Sequence, residues 1–430
     1  MWETTGQWLT FAVLFGWAAH AVRSMIRGDR RTIQVIQLVH FAFCGAPLFL
    51  DLVVGSPGYT YHLGYIAARS DAKTLWLYLG FILFVPIVFQ VAGGRRTADT
   101  RSFESPTELH LGRHARRISV GVIVAFLLAV LVSDPVQYFR YGTAIDTTFT
   151  ARPGYLLVSG LSGLTAVGCT LLLTERTIHW SIRIPIVPIL FVAMWVQGKR
   201  SVVALTLFSL FFAAWQSGRF RGKGLFAAGV VVVALLGGFS AFYQNEIRST
   251  STGRRVEALA DSPDYVYFRV DYGRDGGIRM AIHAELDPEA RPILDYRGES
   301  VLFLAAAPVP RVIWPSKPYS YAVYSTSRAL GIETREIGWG ITTSWLEEAI
   351  ANFSWFGFLL GPLVPALVCN LGDRRKTAAS GLLTAVLASL LLTVNMAAFL
   401  PLTALWLVSL IERPSRLSPL GRGATVVRAT

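Results

Sequence analysis

Four polar clusters interrupt a mostly apolar chain, and each carries residue types able to act on a charged ligand. The first is Gly198-Lys199-Arg200-Ser201. Between Arg183 and Lys199 lie fifteen uncharged residues. As a helix these span about 22 Å at ~1.5 Å per residue, less than the ~30 Å bilayer core. The turn carrying Lys199 and Arg200 therefore sits below the outer surface, or water reaches it. Two adjacent cations at that depth either snorkel to the headgroups or clamp a phosphate, for which guanidinium is a bidentate donor. The second cluster is Arg269-Val270-Asp271-Tyr272-Gly273-Arg274, a binding element or a surface hairpin with an i,i+2 charge pair.

The third cluster is Pro310-Arg311-Val312-Ile313-Trp314-Pro315-Ser316-Lys317-Pro318. Its prolines pre-extend the backbone and hold Arg311 and Lys317 at a set separation. It is either a rigid cationic ribbon suited to a lipid-linked phosphate or a structural connector. The fourth runs from Ser344-Trp345-Leu346-Glu347-Glu348-Ala349 into Asn352-Phe353-Ser354-Trp355-Phe356-Gly357. Two glutamates at a helix start are explained by the helix dipole alone. Glu348 and Asn352 are also i,i+4 neighbours on one face, so a carboxylate facing a bundle there is a candidate general base.

Other chemistries lack their residues. The chain has no G-x-x-x-x-G-K-[ST] loop, H-E-x-x-H, G-x-S-x-G or D-x-D pair, so nothing supports ATP drive, a nucleotide sugar or a metal. No cofactor is expected. Cys44, Cys169 and Cys369 fall inside apolar runs without disulfide or zinc spacing. His20 and His40 lie in apolar runs, where packing or helix–helix hydrogen bonding accounts for them.

The elements that position these clusters are membrane helices. The 430 residues are 53% hydrophobic and 16% charged, against about 25% charged for a soluble domain. The uncharged runs predict an all-α, polytopic membrane protein with about 11 transmembrane helices: 6–22, 32–54, 74–92, 118–133, 154–174, 184–197, 202–216, 225–243, 349–370, 378–394 and 397–411. The first run lacks the flanks of a cleaved signal peptide and is expected to be retained. Net charge is +13. One set of alternate loops holds 22 Lys and Arg, while the short loops of the other set hold six. The positive-inside rule then places the N-terminus outside and the C-terminus in the cytoplasm. No basic stretch is interleaved with aromatics on a soluble domain, so nucleic acid is not an expected partner.

Helices 8 and 9 flank a large extracytoplasmic loop with twelve basic and thirteen acidic residues. Long translocated segments escape the charge rule. The chain thus divides into 1–243 with helices 1–8, the loop 244–344, 345–411 with helices 9–11, and a Pro/Gly/Arg-rich tail 412–430 expected to be disordered. Ser300–Pro310 is apolar but too short to span, and is expected to form an interfacial or re-entrant helix.

Taken in series, the clusters resemble the Wzy-type O-antigen and exopolysaccharide repeat-unit polymerases. Members show a G-[SK]-R turn, an R-x-D, a P-R-x-x-W-P-x-K-P segment and a G-E-x-x-x-N-F-G. Here Gly198, Lys199 and Arg200 fit the first, and Arg269 and Asp271 the second. Pro310, Arg311, Trp314, Pro315, Lys317 and Pro318 fit the third, the most specific of the four. Glu348, Asn352 and Phe353 fit the fourth, with Ser354-Trp355 in place of the usual Gly. The resemblance covers roughly Pro185–Pro362.

The resemblance implies a polymerase of the bacterial plasma membrane with its active site facing outward. Such an enzyme moves a growing glycan from undecaprenyl diphosphate onto the non-reducing end of a new lipid-linked repeat unit. Its implied partners are the lipid-linked donor and acceptor and the bilayer; a chain-length regulator is a partner the resemblance leaves open. In that scheme Arg200, Arg311 and Lys317, with Arg269 assisting, neutralise the leaving diphosphate. Lys199, Arg274 and Trp314 complete the substrate-binding set. Glu348 takes the proton from the acceptor hydroxyl, with Asp271 as competing candidate, and Asn352 orients sugar or carboxylate. An O-antigen ligase is the alternative enzyme. A flippase or other transporter is the alternative class, although no duplicated halves are visible.

Overall fold

The computed structural model describes residues 2–59, 61–94, 113–133, 135–139, 155–175, 178–198, 200–216, 218, 220, 222–242, 265, 269–270, 272–307, 309–337, 340–375 and 378–411. Among the described residues every regular element is helical. The first half comprises α1 (Trp2–Ile26), α2 (Thr32–His40), α3 (Ala46–Val53), α4 (Leu63–Ser70), α5 (Ala72–Ala92), α6 (Arg113–Val132), α7 (Tyr155–Thr174), α8 (Trp180–Gln197), α9 (Arg200–Gln216) and α10 (Lys223–Phe242). Three short helices follow: α11 (Asp275–Leu286), α12 (Glu299–Ala306) and α13 (Tyr321–Leu330). The chain then returns through α14 (Trp345–Phe353), α15 (Gly357–Asp373), α16 (Ala378–Thr393) and α17 (Leu400–Ile411).

Six helical stretches are long and apolar enough to cross a membrane: Trp2–Ile26, Thr32–Val53, Ala72–Ala92, Ala115–Val132, Trp180–Gln197 and Trp345–Asp373. Five shorter apolar helices are Gly160–Thr174, Ser201–Gln216, Lys223–Phe239, Ser380–Thr393 and Met396–Ile411. Each of the eleven ranges expected from the sequence overlaps one of these helices. Large apolar side chains such as Val91, Val132 and Phe191 are exposed. Water tolerates such a surface poorly, whereas lipid does not penalise it. The tail 412–430 lies outside the described residues.

The core is divided in two. One cluster packs α6, α7, α8 and α9 with α16 and α17. The other packs α1, α2, α3 and α5 with α11, α13, α14 and α15. Helix α16 joins them, giving Leu382 and Val386 to the first and Ala388 and Leu392 to the second. The second cluster carries the candidate site.

Within it, a π-helical turn at Phe41–Gly45 links α2 to α3. The wider turn reorients nearby backbone groups, and such bulges frequently occur at functional sites. Here the Phe43 carbonyl accepts a hydrogen bond from the backbone N–H of Arg274 at 3.1 Å. Phe43 stacks on Tyr272, centroids 5.3 Å apart. The segment before α11 is thereby docked near the midpoint of the stretch Thr32–Val53.

Helix α11 enters the bundle N-terminus first. At its outer end His283 lies 3.4 Å from the Thr74 hydroxyl and 3.7 Å from Asp71, the residue capping α5. Further in, the Arg279 guanidinium lies 4.6 Å above the Tyr78 ring. The helix therefore runs antiparallel to α5, with Asp275 at its deep end. The short helix expected over Ser300–Pro310 is α12, which packs on α14. Helix α11, which the hydropathy pattern does not mark, also packs into the bundle.

Candidate active site

Glu348 is 1% exposed and Asn352 2% exposed, on the same face of α14. Their i,i+4 spacing brings them together as expected, since Asn352 Nδ2 donates to the Glu348 carbonyl at 2.7 Å. Ser300, at the start of α12, completes the cluster. Its hydroxyl donates to Glu348 Oε1 at 2.8 Å and accepts from Asn352 Nδ2 at 2.8 Å. Glu348 Oε2 and Asn352 Oδ1 are buried with no hydrogen-bond partner among the described residues. Among those residues no Lys, Arg or His lies within salt-bridge distance of Glu348. Unpaired buried acceptors are costly, so two of them together mark a place for donors from outside the protein. Hydroxyl groups fit that requirement.

Glu347 has a different task. Its Oε1 accepts the Ser344 backbone N–H at 2.7 Å in a capping box that starts α14. The dipole explanation for paired glutamates thus accounts for Glu347 and leaves Glu348 over. Across from Glu347 stands Gly277 of α11, where an added Cβ would collide with the Glu347 carboxyl. Only glycine permits α11 and α14 to approach this closely there.

The Arg269 side chain is fully buried in an ion cluster. Its Nη2 lies 2.7 Å from Asp51 Oδ1. Its two terminal nitrogens also form a fork on Asp275 at 3.0 and 3.1 Å. Arg69 closes the cluster at 2.9 Å from Asp51 and 3.9 Å from Asp275. Burial alone would raise the Asp275 carboxyl, but the Arg269 fork, with Arg279 and Arg69 near, holds it well below the usual carboxylate range. Arg274 is 4% exposed and donates to the carbonyls of Thr393 at 3.0 Å and Gly273 at 3.0 Å. It lies within electrostatic reach of Glu347.

Arg311, Trp314 and Lys317 stay together in one loop. Arg311 donates to the carbonyls of Lys317 at 2.6 Å and Pro318 at 3.0 Å, and its guanidinium lies 4.0 Å above the Tyr319 ring. Lys317 is 8% exposed and its Nζ donates to the carbonyls of Ala307 and Val309 at 2.9 and 3.0 Å. It thereby terminates α12, which ends with orphan carbonyls that a cation satisfies. Trp314 Nε1 donates to the Ser316 hydroxyl at 3.0 Å. Backbone carbonyls engage donors of both cations, so the two side chains brace this loop. The brace fixes α12, and α12 carries Ser300 against Glu348.

Lys199 and Asp271 lie outside the described residues. Arg200 opens α9 two residues after Gly198, whose φ of 61° ends α8 in the left-handed region that glycine favours. Gln197, the last residue of α8, accepts a hydrogen bond from Ser162 of α7.

Four site residues escaped the sequence reading. Asp51 had a signal, as an ionisable residue inside an apolar run. Arg69, Asp275 and Ser300 had none beyond residue type.

Ser354 ends α14 with φ 55°, in the region that favours glycine. Its hydroxyl donates to Glu285 Oε2 at 2.7 Å, and Glu285 also pairs with Arg297.

Compared with family models, curated proteins and solved structures, the chain matches none of them.

Proposed function

We propose that this chain is a membrane-embedded glycosyltransferase that polymerises lipid-linked repeat units at the outer face of a bacterial plasma membrane. The reading takes all eleven apolar helices as spans, with N-terminus outside and C-terminus in the cytoplasm. It rests on the motif series together with one observation: Glu348, buried beside Ser300 and Asn352, has one carboxyl oxygen held and the other unpartnered.

In the proposed reaction the unpartnered Glu348 Oε2 accepts the proton of the acceptor hydroxyl. The hydroxyl oxygen forms a bond to the anomeric carbon of the donor glycan. The bond from that carbon to undecaprenyl diphosphate breaks, and the diphosphate leaves with the electron pair. Asn352 Oδ1 accepts from a second sugar hydroxyl and fixes the ring. Ser300 holds the carboxylate still, which preserves the near-attack geometry. Arg311 and Lys317 act through α12 as positioning residues. No ATP enters, because cleavage of the donor diphosphate linkage supplies the drive.

The test is a reaction of purified protein with a synthetic undecaprenyl-diphosphate-linked repeat unit, without ATP, read as a mass ladder. Products two or more repeats long support the reading. Absence of a ladder, with movement of the intact unit across vesicles, would replace it with a transporter.

A further inference from the structure

The apolar stretch Trp345–Asp373 does not run straight. Helix α14 folds back along α15: Trp345 Nε1 donates to the Leu360 carbonyl at 3.3 Å, and a Cβ added at Gly361 would lie 3.4 Å from Leu346. The start of α14 is therefore about 12 Å deeper in the bundle than its end at Phe353, at ~1.5 Å per residue. The helices on either side of the Pro310–Pro318 loop are tied to this buried arm. Ser300 of α12 donates to Glu348. Tyr321, which opens α13, is buried and lies within electrostatic reach of Glu347 and Glu348. The loop is thus tied on both sides at levels below the Ser354–Phe356 turn.

The tip of that loop is apolar. Val312 is 93% exposed and Ile313 75% exposed. Neither folds back onto the protein, because Arg311 and Lys317 hold the loop through the carbonyls of Lys317, Pro318, Ala307 and Val309. Its backbone also offers few donors. Pro310, Pro315 and Pro318 have no N–H, and the N–H groups of Ile313, Trp314 and Lys317 are bonded within the loop at 3.0, 3.1 and 3.0 Å. Lipid penalises each backbone donor left without an acceptor, so such a backbone suits an apolar surrounding. The N–H groups of Arg311, Val312 and Ser316 remain, and headgroup oxygens or water can serve them. That combination fits the boundary between headgroups and acyl chains, the level at which an indole such as that of Trp314 also settles. Exposed apolar side chains continue on α12 at Leu302 and on the turn after α14 at Trp355 and Phe356.

We propose that the Val312–Ile313 tip inserts into the bilayer, at the headgroup–acyl boundary of the leaflet on the side of α11–α13, and anchors α12 there. The partner is the lipid itself. The anchor stands on the loop and on the apolar helices, and is independent of the chemistry of Glu348.

The test is site-directed spin labelling of the full-length protein in phosphatidylcholine vesicles. Labels are placed separately at Val312→Cys and Ile313→Cys. Phe191→Cys, on the exposed apolar face of α8, reports lipid, and Glu289→Cys, exposed just beyond α11, reports water. Cys44, Cys169 and Cys369 are buried, and unsubstituted protein taken through the same labelling corrects for them. Relaxation of each label by oxygen, which concentrates in lipid, is compared with relaxation by a water-soluble nickel chelate.

The oxygen-to-nickel ratio at 312 and 313 is expected to exceed that at 289 several-fold and to approach that at 191. A raised ratio at either tip position upholds the anchor, so a substitution that damages the fold at one leaves the other to decide. Ratios at both positions no higher than at 289 overturn it and place the tip in water. Exclusion of both agents at both positions also overturns it, since protein, a second copy included, would then cover the tip. None of these readouts involves chain extension, so failure of the anchor and failure of the polymerase reading are separable.

Discussion

Replacing Ser300 by Ala removes one hydroxyl that serves two partners. Ser300 is 1% exposed, so water does not take over. Glu348 Oε1 loses its 2.8 Å donor, which leaves the Met396 backbone N–H as the neighbouring donor to the carboxylate among the described residues. Asn352 loses one acceptor at 2.8 Å but keeps the Glu348 carbonyl at 2.7 Å. The loss therefore falls mainly on the carboxylate. Leaving a buried acceptor unsatisfied costs about 1–3 kcal/mol. If a comparable amount of orientation is lost in the transition state, extension slows by about 10–100-fold, since ~1.4 kcal/mol is a factor of ten. The assay is the initial rate of ladder formation, with unfolding in detergent measured in parallel. Ser300→Thr retains the hydroxyl and is expected to recover most of the rate. Wild-type extension by Ser300→Ala would refute the idea that α12 positions the base.

At Ser354, Ala keeps the strained φ and loses the hydrogen bond to Glu285, whereas Gly relieves the strain. The Ala variant is expected to be about 1–2 kcal/mol less stable than the Gly variant, measured by denaturant unfolding in detergent. Arg311→Lys forfeits one of two carbonyl bonds and the flat stacking on Tyr319, so protease should cut the 310–318 loop faster and extension should slow several-fold. The depressed carboxyl of Asp275 stabilises the fold above its unfolded value of about 3.9, and this contribution fades as pH falls toward the folded value. Stability should therefore drop steeply below about pH 4. Asp275→Asn is expected to flatten that acid limb, while losing about 3–5 kcal/mol near pH 6 because Arg269 is left undercompensated.

The apolar helices were readable because uncharged runs are a property of the chain itself. The fourth motif was readable for the same kind of reason, as i,i+4 spacing alone puts Glu348 beside Asn352. Helix α11 was not readable. Its Gly276-Gly277 start resembles a loop, and it forms because α5 and α14 pack on it. Asp51 stood in plain view inside an apolar run, but its partners Arg69, Arg269 and Asp275 are far away in sequence. Arg311 and Lys317 show a further limit. Sequence displays a cation but not the carbonyl lone pairs that will engage it, so a brace and a clamp look alike. The π-turn at Phe41–Gly45 has no pattern that distinguishes it from ordinary helix.

The most direct measurement compares Glu348→Gln with Asp271→Asn in the lipid-linked repeat-unit reaction, each variant first shown to unfold near the wild-type temperature. The account predicts that Glu348→Gln forms no product beyond a single repeat unit while Asp271→Asn still builds a ladder. A full ladder from Glu348→Gln would contradict it, and loss of the ladder only in Asp271→Asn would move the base to that residue.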